Sequence, residues 1–200
     1  MYQNDTGYPS VSDIMRPWED HRWYKEIHRK RGDRVHGAIF ADLKGLFVPS
    51  LPESWQGYYE SYLAYKEIID DVLLLEERLV DPDLGYCGQP DLLIQSGTET
   101  ILPDWKTSVA VVPTWKYRLA AYSRLILINK GIQVDVAVPV RLRKKKPKTK
   151  GWFPLVDPQY TARELDQHFD VFCSAVKCYY NLLNENGKLF AQYEDIGEDI

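Results

Sequence analysis

Three short apolar segments separated by turn sequences, between residues 72 and 106, constrain the fold of this chain most. Residues 72–80, 89–95 and 100–106 are rich in branched side chains and are too short for buried helices, which favours β-strands. Asp-Pro-Asp-Leu-Gly at 81–85 and Ser-Gly-Thr-Glu at 96–99 provide turn chemistry between them. The pattern therefore predicts an antiparallel run of three strands.

Helical patterns flank this run on both sides. Ser10 marks the start of a short helix that Pro17 interrupts. Gly32 separates a polar stretch from a helix over 33–46, and Pro113 opens a helix that ends near Gly131. The other predicted elements are a helix over 55–69, a strand over 134–140, a candidate strand over 152–156 and a closing helix over 161–183. This order predicts an α/β (α+β) fold in which helices cover a mixed sheet.

Length and composition indicate one globular domain over residues 1–200. The chain is 44% hydrophobic and 27% charged, which excludes disordered and low-complexity classes. No window approaches ~18 uninterrupted apolar residues, and the polar start does not resemble a signal peptide. Cys87, Cys173 and Cys178 form no CxxC pair, which argues against a disulfide framework or a zinc cage. We therefore expect a cytoplasmic protein without membrane partners.

The net charge of −4 excludes a general electrostatic attraction to nucleic acid, so such binding would need a local patch. One candidate is the basic segment, residues 141–150, which contains Arg141, Arg143, Lys144, Lys145, Lys146, Lys148 and Lys150. We expect it to contact a nucleic-acid backbone in a salt-dependent way. The alternative is a solvated loop or hairpin tip.

The strongest chemical signal is Gly-Gln-Pro-Asp at 88–91, followed by Asp-Trp-Lys at 104–106. In a strand, Asp104 and Lys106 project from one face while Trp105 points the other way. The short turn at 96–99 would return the strand beside Asp91, so that Asp91 and Asp104 meet at one end of the sheet.

Converging carboxylates suit a hard divalent cation such as Mg²⁺ or Mn²⁺. Lys106 beside them could stabilise negative charge or orient an attacking water. A third carboxylate comes from Glu76 or Glu77, of which only one can face the site, because neighbouring strand residues face opposite ways. A buried salt bridge between Asp104 and Lys106 is the alternative without catalysis.

These motifs, in this order, resemble the PD-(D/E)xK nuclease superfamily. The resemblance covers about residues 10 to 125, and its RecB-like exonuclease branch is the most similar, including phage exonucleases and a mitochondrial genome maintenance exonuclease. The resemblance is carried by six short sequence features: Glu76, Gly-Tyr-Cys-Gly-Gln-Pro-Asp at 85–91, Asp-Trp-Lys-Thr-Ser at 104–108, Leu-Ala-Ala-Tyr at 119–122, Ser-Val-Ser at 10–12 and Gly-Asp-Arg-Val-His at 32–36. It implies a restriction-endonuclease-like central mixed sheet flanked by helices.

The resemblance also implies roles for single residues. Asp91 and Asp104 would hold the metal, with the backbone carbonyl of Trp105 and the side chain of His36 as further ligands. Lys106 would be the catalytic lysine, and Glu76 fits the additional acidic position better than Glu77. The resemblance implies that Tyr122 lies near the substrate, and the charge pattern adds Arg143, Lys144 and Lys145 of the basic segment as candidate substrate contacts.

The sequence departs from the family pattern at two points. The glutamine expected four residues before Tyr122 is Arg118, whose guanidinium could instead clamp a phosphate. Some relatives carry four cysteines for an iron-sulfur cluster, but the three cysteines here match neither that number nor that spacing, so no cluster is expected.

The expected function is hydrolysis of DNA phosphodiester bonds from single-stranded or duplex ends by a metal-activated water. Phage- or prophage-type recombination or repair is the expected setting, with a recombination protein as a possible partner. The alternatives are an endonuclease of the same fold and a non-catalytic DNA-binding module. Aromatic residues such as Trp18, Trp23, Tyr58 and Tyr59 could stack on an unpaired base, although most aromatics should pack between helices.

Overall fold

The computed structural model describes residues 6–19, 25–108, 110–148 and 151–186, which form a sheet with helices on both faces. The strands are β1 (Asp71–Leu75), β2 (Leu79–Asp81), β3 (Tyr86–Gly88), β4 (Leu92–Ser96), β5 (Glu99–Lys106), β6 (Val136–Arg141) and β7 (Tyr160–Thr161). The helices are α1 (Val11–Met15), a 3₁₀ turn (Arg16–Trp18), α2 (Glu26–Leu43), α3 (Glu53–Lys66), α4 (Trp115–Lys130) and α5 (Ala162–Asn186).

The main sheet has the strand order β1-β4-β5-β6-β7. Only the pair β5 and β6 is parallel, and the other neighbours are antiparallel. The turn between Ser96 and Glu99 joins β4 to β5, whereas α4 provides the long crossover that the parallel pair needs. Strands β2 and β3 form a separate two-stranded ladder. The predicted fold class, a central mixed sheet flanked by helices, is confirmed.

Both faces of the sheet are covered, which explains the continuous apolar runs in its central strands. Leu93 and Leu102 point to one face, where they pack under α1, α4 and α5. Leu92, Ile94 and Trp105 point to the opposite face, where they pack under α2 and α3. Side chains that alternate along β4 and β5 therefore belong to two different cores.

The strand predicted over 72–80 is wrong, because the structure divides it into β1 and β2. The break falls at Glu76, whose backbone has a φ of 45° in the left-handed region. Such a φ ends the extended conformation, so β1 remains in the main sheet while β2 pairs with β3. The predicted strand over 89–95 corresponds to β4 alone, which begins at Leu92, and β3 lies just before the predicted range.

The prediction that a new helix begins after Gly32 is wrong, because Gly32 lies inside α2. A Cβ added at this position would lie 4.0 Å from the hydroxyl of Thr107. The candidate strand over 152–156 is reduced to a single bridge between Leu155 and Arg141. The predicted ends hold better at Ser10, which forms a capping box with Asp13, and at Gly131, whose φ of 68° ends α4. No helix in the described parts of the chain is long and apolar enough to cross a membrane.

Candidate active site

Asp91 lies at the end of the sheet where β4 begins, one residue before that strand. Its carboxylate forms a hydrogen bond with the neighbouring strand β5. The Oδ2 atom accepts a hydrogen bond of 2.8 Å from the backbone N–H of Trp105. The pairing of Ile94 with Ile101, continued toward this edge, sets Asp91 opposite Asp104. Pro103 has no N–H to donate, and the hydrogen bond from Trp105 to the Asp91 side chain adds a link between the two strands near this end.

Asp104 and Lys106 lie on one face of β5 and form an ion pair through Oδ2 and Nζ. Both are largely buried, with side chains 12% and 17% exposed respectively. The Lys106 amine also lies 5.5 Å from the ring centre of Trp115, a cation–π contact from the first turn of α4. The amine is therefore held between a carboxylate and an aromatic face.

Trp105, between these two residues, points to the opposite face of the sheet. Its ring makes edge-to-face contacts with Tyr62 and Tyr65 of α3, at centroid distances of 5.6 and 5.3 Å. The packing of this ring fixes the rotation of β5 about its axis. Asp104 and Lys106 are thereby directed into the site.

His36 enters the site from α2. This helix covers the face of the sheet opposite to the one from which Asp104 and Lys106 project. Its Nε2 donates to the backbone carbonyl of Trp105 at 3.1 Å, and its Nδ1 lies 3.6 Å from Oδ1 of Asp91. The imidazole therefore contacts two of the groups that the family resemblance assigns to a metal ion.

Glu76 is directed toward the same group by the break between β1 and β2. Its backbone N–H donates to the carbonyl of Asp91 at 3.1 Å, and its side chain is close enough to Asp91 and His36 for their charges to act on it. Glu77 instead forms an ion pair with Lys130 of α4. The left-handed backbone at Glu76 thus separates the two neighbouring carboxylates.

The electrostatics of the site follow from several charges buried together. Burial raises the pKa of Asp104, and repulsion from Asp91 adds to this, against the attraction of Lys106. Burial also acts to raise the pKa of Asp91, but the charge and hydrogen bond of His36 outweigh it and the pKa is lowered. For His36, burial acts to lower the pKa, but Asp91 raises it overall. Burial, followed by repulsion from Asp91, raises the pKa of Glu76.

The donor types at this site fit a hard divalent cation, because two carboxylates, a carbonyl and an imidazole meet there. Within the described ranges, however, no three His, Cys, Asp or Glu side chains are grouped closely enough to hold a metal ion as they stand. Lys106 instead pairs with Asp104, and the His36 imidazole lies 3.6 Å from Asp91. A divalent cation would therefore compete with these two side chains for the same oxygens.

Tyr122 and Arg118, on one face of α4, lie beside this group. The ring of Tyr122 packs so closely on Gly88 that an added Cβ there would lie 2.8 Å from it. Burial raises the pKa of Tyr122, which also senses the charges of Arg118, Asp104 and Asp91. The Arg118 guanidinium is already engaged, since Nη2 lies 2.8 and 2.9 Å from the two carboxylate oxygens of Glu19.

The basic segment begins at the same end of the sheet, because the parallel strands β5 and β6 end together. The backbone N–H of Leu142 donates to the carbonyl of Lys106 at 2.8 Å. Arg143 Nε donates to the carbonyl of Phe153, whereas the side chains of Lys144 and Lys145 are exposed. Residues 149 and 150 lie outside the described residues, and so does Trp23.

Sequence reasoning missed three residues that the fold brings to the site: Glu19, Trp115 and Arg31. Glu19 binds Arg118 from 99 residues away, and Arg31 Nη2 donates to the carbonyl of Thr107 at 3.1 Å. No motif or spacing in the sequence marks these contacts. Of the aromatics suggested for base stacking, Tyr58 is buried and Tyr59 packs on Tyr62, whereas Trp18 is half exposed.

Comparison with known proteins supports the fold. No protein-family model matches the chain, and neither does any curated protein. A crystal structure named "Putative exonuclease", from Eubacterium rectale, matches with a TM-score of 0.57 over 92% of this chain and 84% of that chain. The identity is 12%, so the likeness concerns the fold alone. The chain therefore shares its arrangement of sheet and helices with a protein described as an exonuclease.

Proposed function

We propose that this protein is a Mg²⁺- or Mn²⁺-dependent deoxyribonuclease that hydrolyses phosphodiester bonds from DNA ends. The proposal is carried by one observation: four side chains meet at one end of the central strands, namely Asp91, Asp104, Lys106 and His36. The basic segment begins at the same end of the sheet. The likeness to a structure described as an exonuclease adds support.

In this proposal Asp91, Asp104, the Trp105 carbonyl and His36 would hold the divalent cation, with Glu76 as a further carboxylate. When bound, the cation would supply Lewis acidity next to the scissile phosphate. Lys106 would release Asp104 to the cation and use its charge to stabilise the negative charge that develops on the phosphate. Trp115 would keep the amine in the site during this exchange.

Substrate contacts are proposed for Tyr122, Arg143, Lys144 and Lys145. The two exposed lysines would contact the DNA backbone, whereas Arg143 first positions the loop through its hydrogen bond to Phe153. Arg118 could bind a phosphate only by leaving Glu19. The family resemblance favours a role in phage- or prophage-type recombination or repair, with a recombination protein as a possible partner.

The test uses end-labelled linear and closed circular DNA, each single- and double-stranded, with Mn²⁺ or Mg²⁺ and with EDTA. We expect metal-dependent release of nucleotides from linear DNA, intact circles, and no activity in Asp104→Ala. Cleavage of circles would identify an endonuclease instead. Binding without cleavage would identify a non-catalytic module, and equal activity in Asp104→Ala would exclude this site.

A further inference from the structure

A surface groove lies between α2 and the start of α3, and none of the candidate site residues lines it. Its volume is about 620 Å³. Pockets that bind small ligands have volumes of about 300–1,000 Å³, so a nucleotide would fit. The walls come from Lys30, Asp33 and Arg34 of α2, residues 50–52 of the connecting loop, and Trp55 of α3.

The charged wall of this groove favours an anion. Lys30 and Arg34 are one helical turn apart, so their side chains lie on the same side of α2. Lys30 pairs with Glu26 at 2.8 Å, but both side chains are more than 60% exposed, and such pairs are weak. Arg34 is exposed and has no ion-pair partner within the described ranges. Of the charged residues that line the groove, Asp33 offsets one of the two cations, which leaves a net charge of +1 on the lining itself, before Glu26 beside it is counted.

Trp55 gives the groove a flat apolar surface. It is partly buried against the core beneath α2 and α3, so its indole is held in place while one part lines the groove. Indole rings stack on bases of any sequence, but only when the base is unpaired. A cationic wall and a fixed aromatic ring together match the phosphate and base of a single strand.

The groove is connected to the candidate site through α2. Arg31, next to Lys30, donates to the carbonyl of Thr107, the residue after Lys106. His36, which contacts Asp91, lies only two residues beyond Arg34. Arg34 and His36 are about 3 Å apart along the helix axis, but two residues turn about 200° round an α-helix, so the two side chains project from different sides of α2. A strand in the groove would therefore have to pass round α2 to reach the carboxylates.

We propose that this groove binds an unpaired segment of DNA, with its phosphates on Lys30 and Arg34 and one base on Trp55. The proposal rests on the proposed function and narrows its substrate to DNA with a single-stranded end. It assigns the groove a positioning role and gives it no part in bond cleavage.

The test measures binding in EDTA, where hydrolysis is not required. Fluorescence anisotropy with a labelled 12-nucleotide oligothymidylate would compare Arg34→Glu and Trp55→Ala with the unmodified chain. The matched control is Arg29→Glu, the same charge change at an exposed residue of α2 that does not line the groove. We expect a loss of affinity of about tenfold for each groove variant and a much smaller loss for Arg29→Glu.

Trp55→Phe keeps an aromatic face and should recover most of the affinity, provided that circular dichroism shows both Trp55 variants to be folded. Equal losses in Arg34→Glu and Arg29→Glu would overturn the proposal. Tighter binding of a blunt 12-base-pair duplex than of the oligothymidylate would also overturn it. Cleavage by the unmodified chain is measured separately, so failure of the groove is distinguishable from failure of the nuclease proposal.

Discussion

The carboxylate of Asp91 accepts the backbone N–H of Trp105 at 2.8 Å, so one candidate metal ligand also closes the ladder between two strands. The same carboxylate lies 3.6 Å from His36 of α2. A side chain with two such contacts joins the sheet to the helix above it. Chemistry and local stability at this edge therefore depend on the same oxygen atoms.

This dual role predicts different results for Asp91→Asn and Asp91→Ala. The amide oxygen of Asn can still accept the Trp105 N–H, so Asp91→Asn should fold normally but lose Mn²⁺-dependent cleavage by at least ~100-fold. Asp91→Ala leaves that N–H unpaired and should also lose about 1–3 kcal/mol of unfolding free energy. Urea denaturation and a nuclease assay check both values. Equal stability of the two variants would contradict the structural role.

For Lys106 we expect catalysis and metal binding to separate. Lys106→Ala should abolish turnover but leave Mn²⁺ affinity similar or higher, because the amine competes with a cation for Asp104. Lys106→Met is the matched variant, since its unbranched side chain can still pack on Trp115. Isothermal titration calorimetry gives the affinity. A collapse of Mn²⁺ binding in both variants would show that Lys106 has another role.

Glu19 should restrain Arg118. Glu19→Gln removes the negative partner of the guanidinium, so Arg118 becomes available to a phosphate and affinity for single-stranded DNA should rise by about three- to tenfold. Anisotropy at 50 and 150 mM salt measures this change. The double variant Glu19→Gln/Arg118→Ala should lose the gain. An equal gain in the double variant would mean that Arg118 does not contact the DNA.

Two helical glycines should respond in opposite ways to alanine. A Cβ at Gly57 would lie 2.1 Å from the backbone carbonyl oxygen of Lys144, whereas nothing lies within 4 Å of a Cβ at Gly37. Gly57→Ala should therefore displace the basic segment, lower stability by about 1–3 kcal/mol and weaken DNA binding. Gly37→Ala should raise stability by about 0.5–1 kcal/mol. An unchanged free energy of unfolding in Gly57→Ala would contradict the close contact between Gly57 and the backbone of Lys144.

The ionisation of Asp42 should make the free energy of unfolding depend on pH in the acidic range. Burial acts to raise its pKa, but hydrogen bonds from Lys66 and Tyr62, at 2.6 and 2.5 Å, lower it overall. A lowered pKa means that the stabilisation is present above the unfolded value of about 3.9 and is lost as pH falls through the folded value. The stability difference between the unmodified chain and Asp42→Asn should therefore be constant from pH 5 to 7 and shrink below about 4.

The comparison uses urea midpoints of both proteins at each pH, so that general acid unfolding cancels. A difference that remains constant down to pH 3 would contradict the role of Asp42. Because Lys66 is 43% exposed, the difference itself should be modest.

The sequence by itself determined the local elements and the order of the motifs. Periodicity was sufficient for α4, β5 and the closing helix, and strand parity was sufficient to separate Trp105 from Asp104 and Lys106, because these features depend on neighbouring residues. The fold class followed from the order of the elements. Local patterns failed at Glu76, where an apolar run hides a left-handed residue that ends the strand.

Only the tertiary structure decided which distant groups meet. His36 and Trp115 reach the site from α2 and α4, and Glu19 reaches it from just after the 3₁₀ turn. Gly57 of α3 lies against the basic segment, and all of these contacts join residues far apart in the chain. Such contacts depend on how the layers pack around the sheet, which no spacing along the chain encodes. The motifs in the sequence thus identified the candidate carboxylates and the lysine, whereas packing decided which partners these side chains contact.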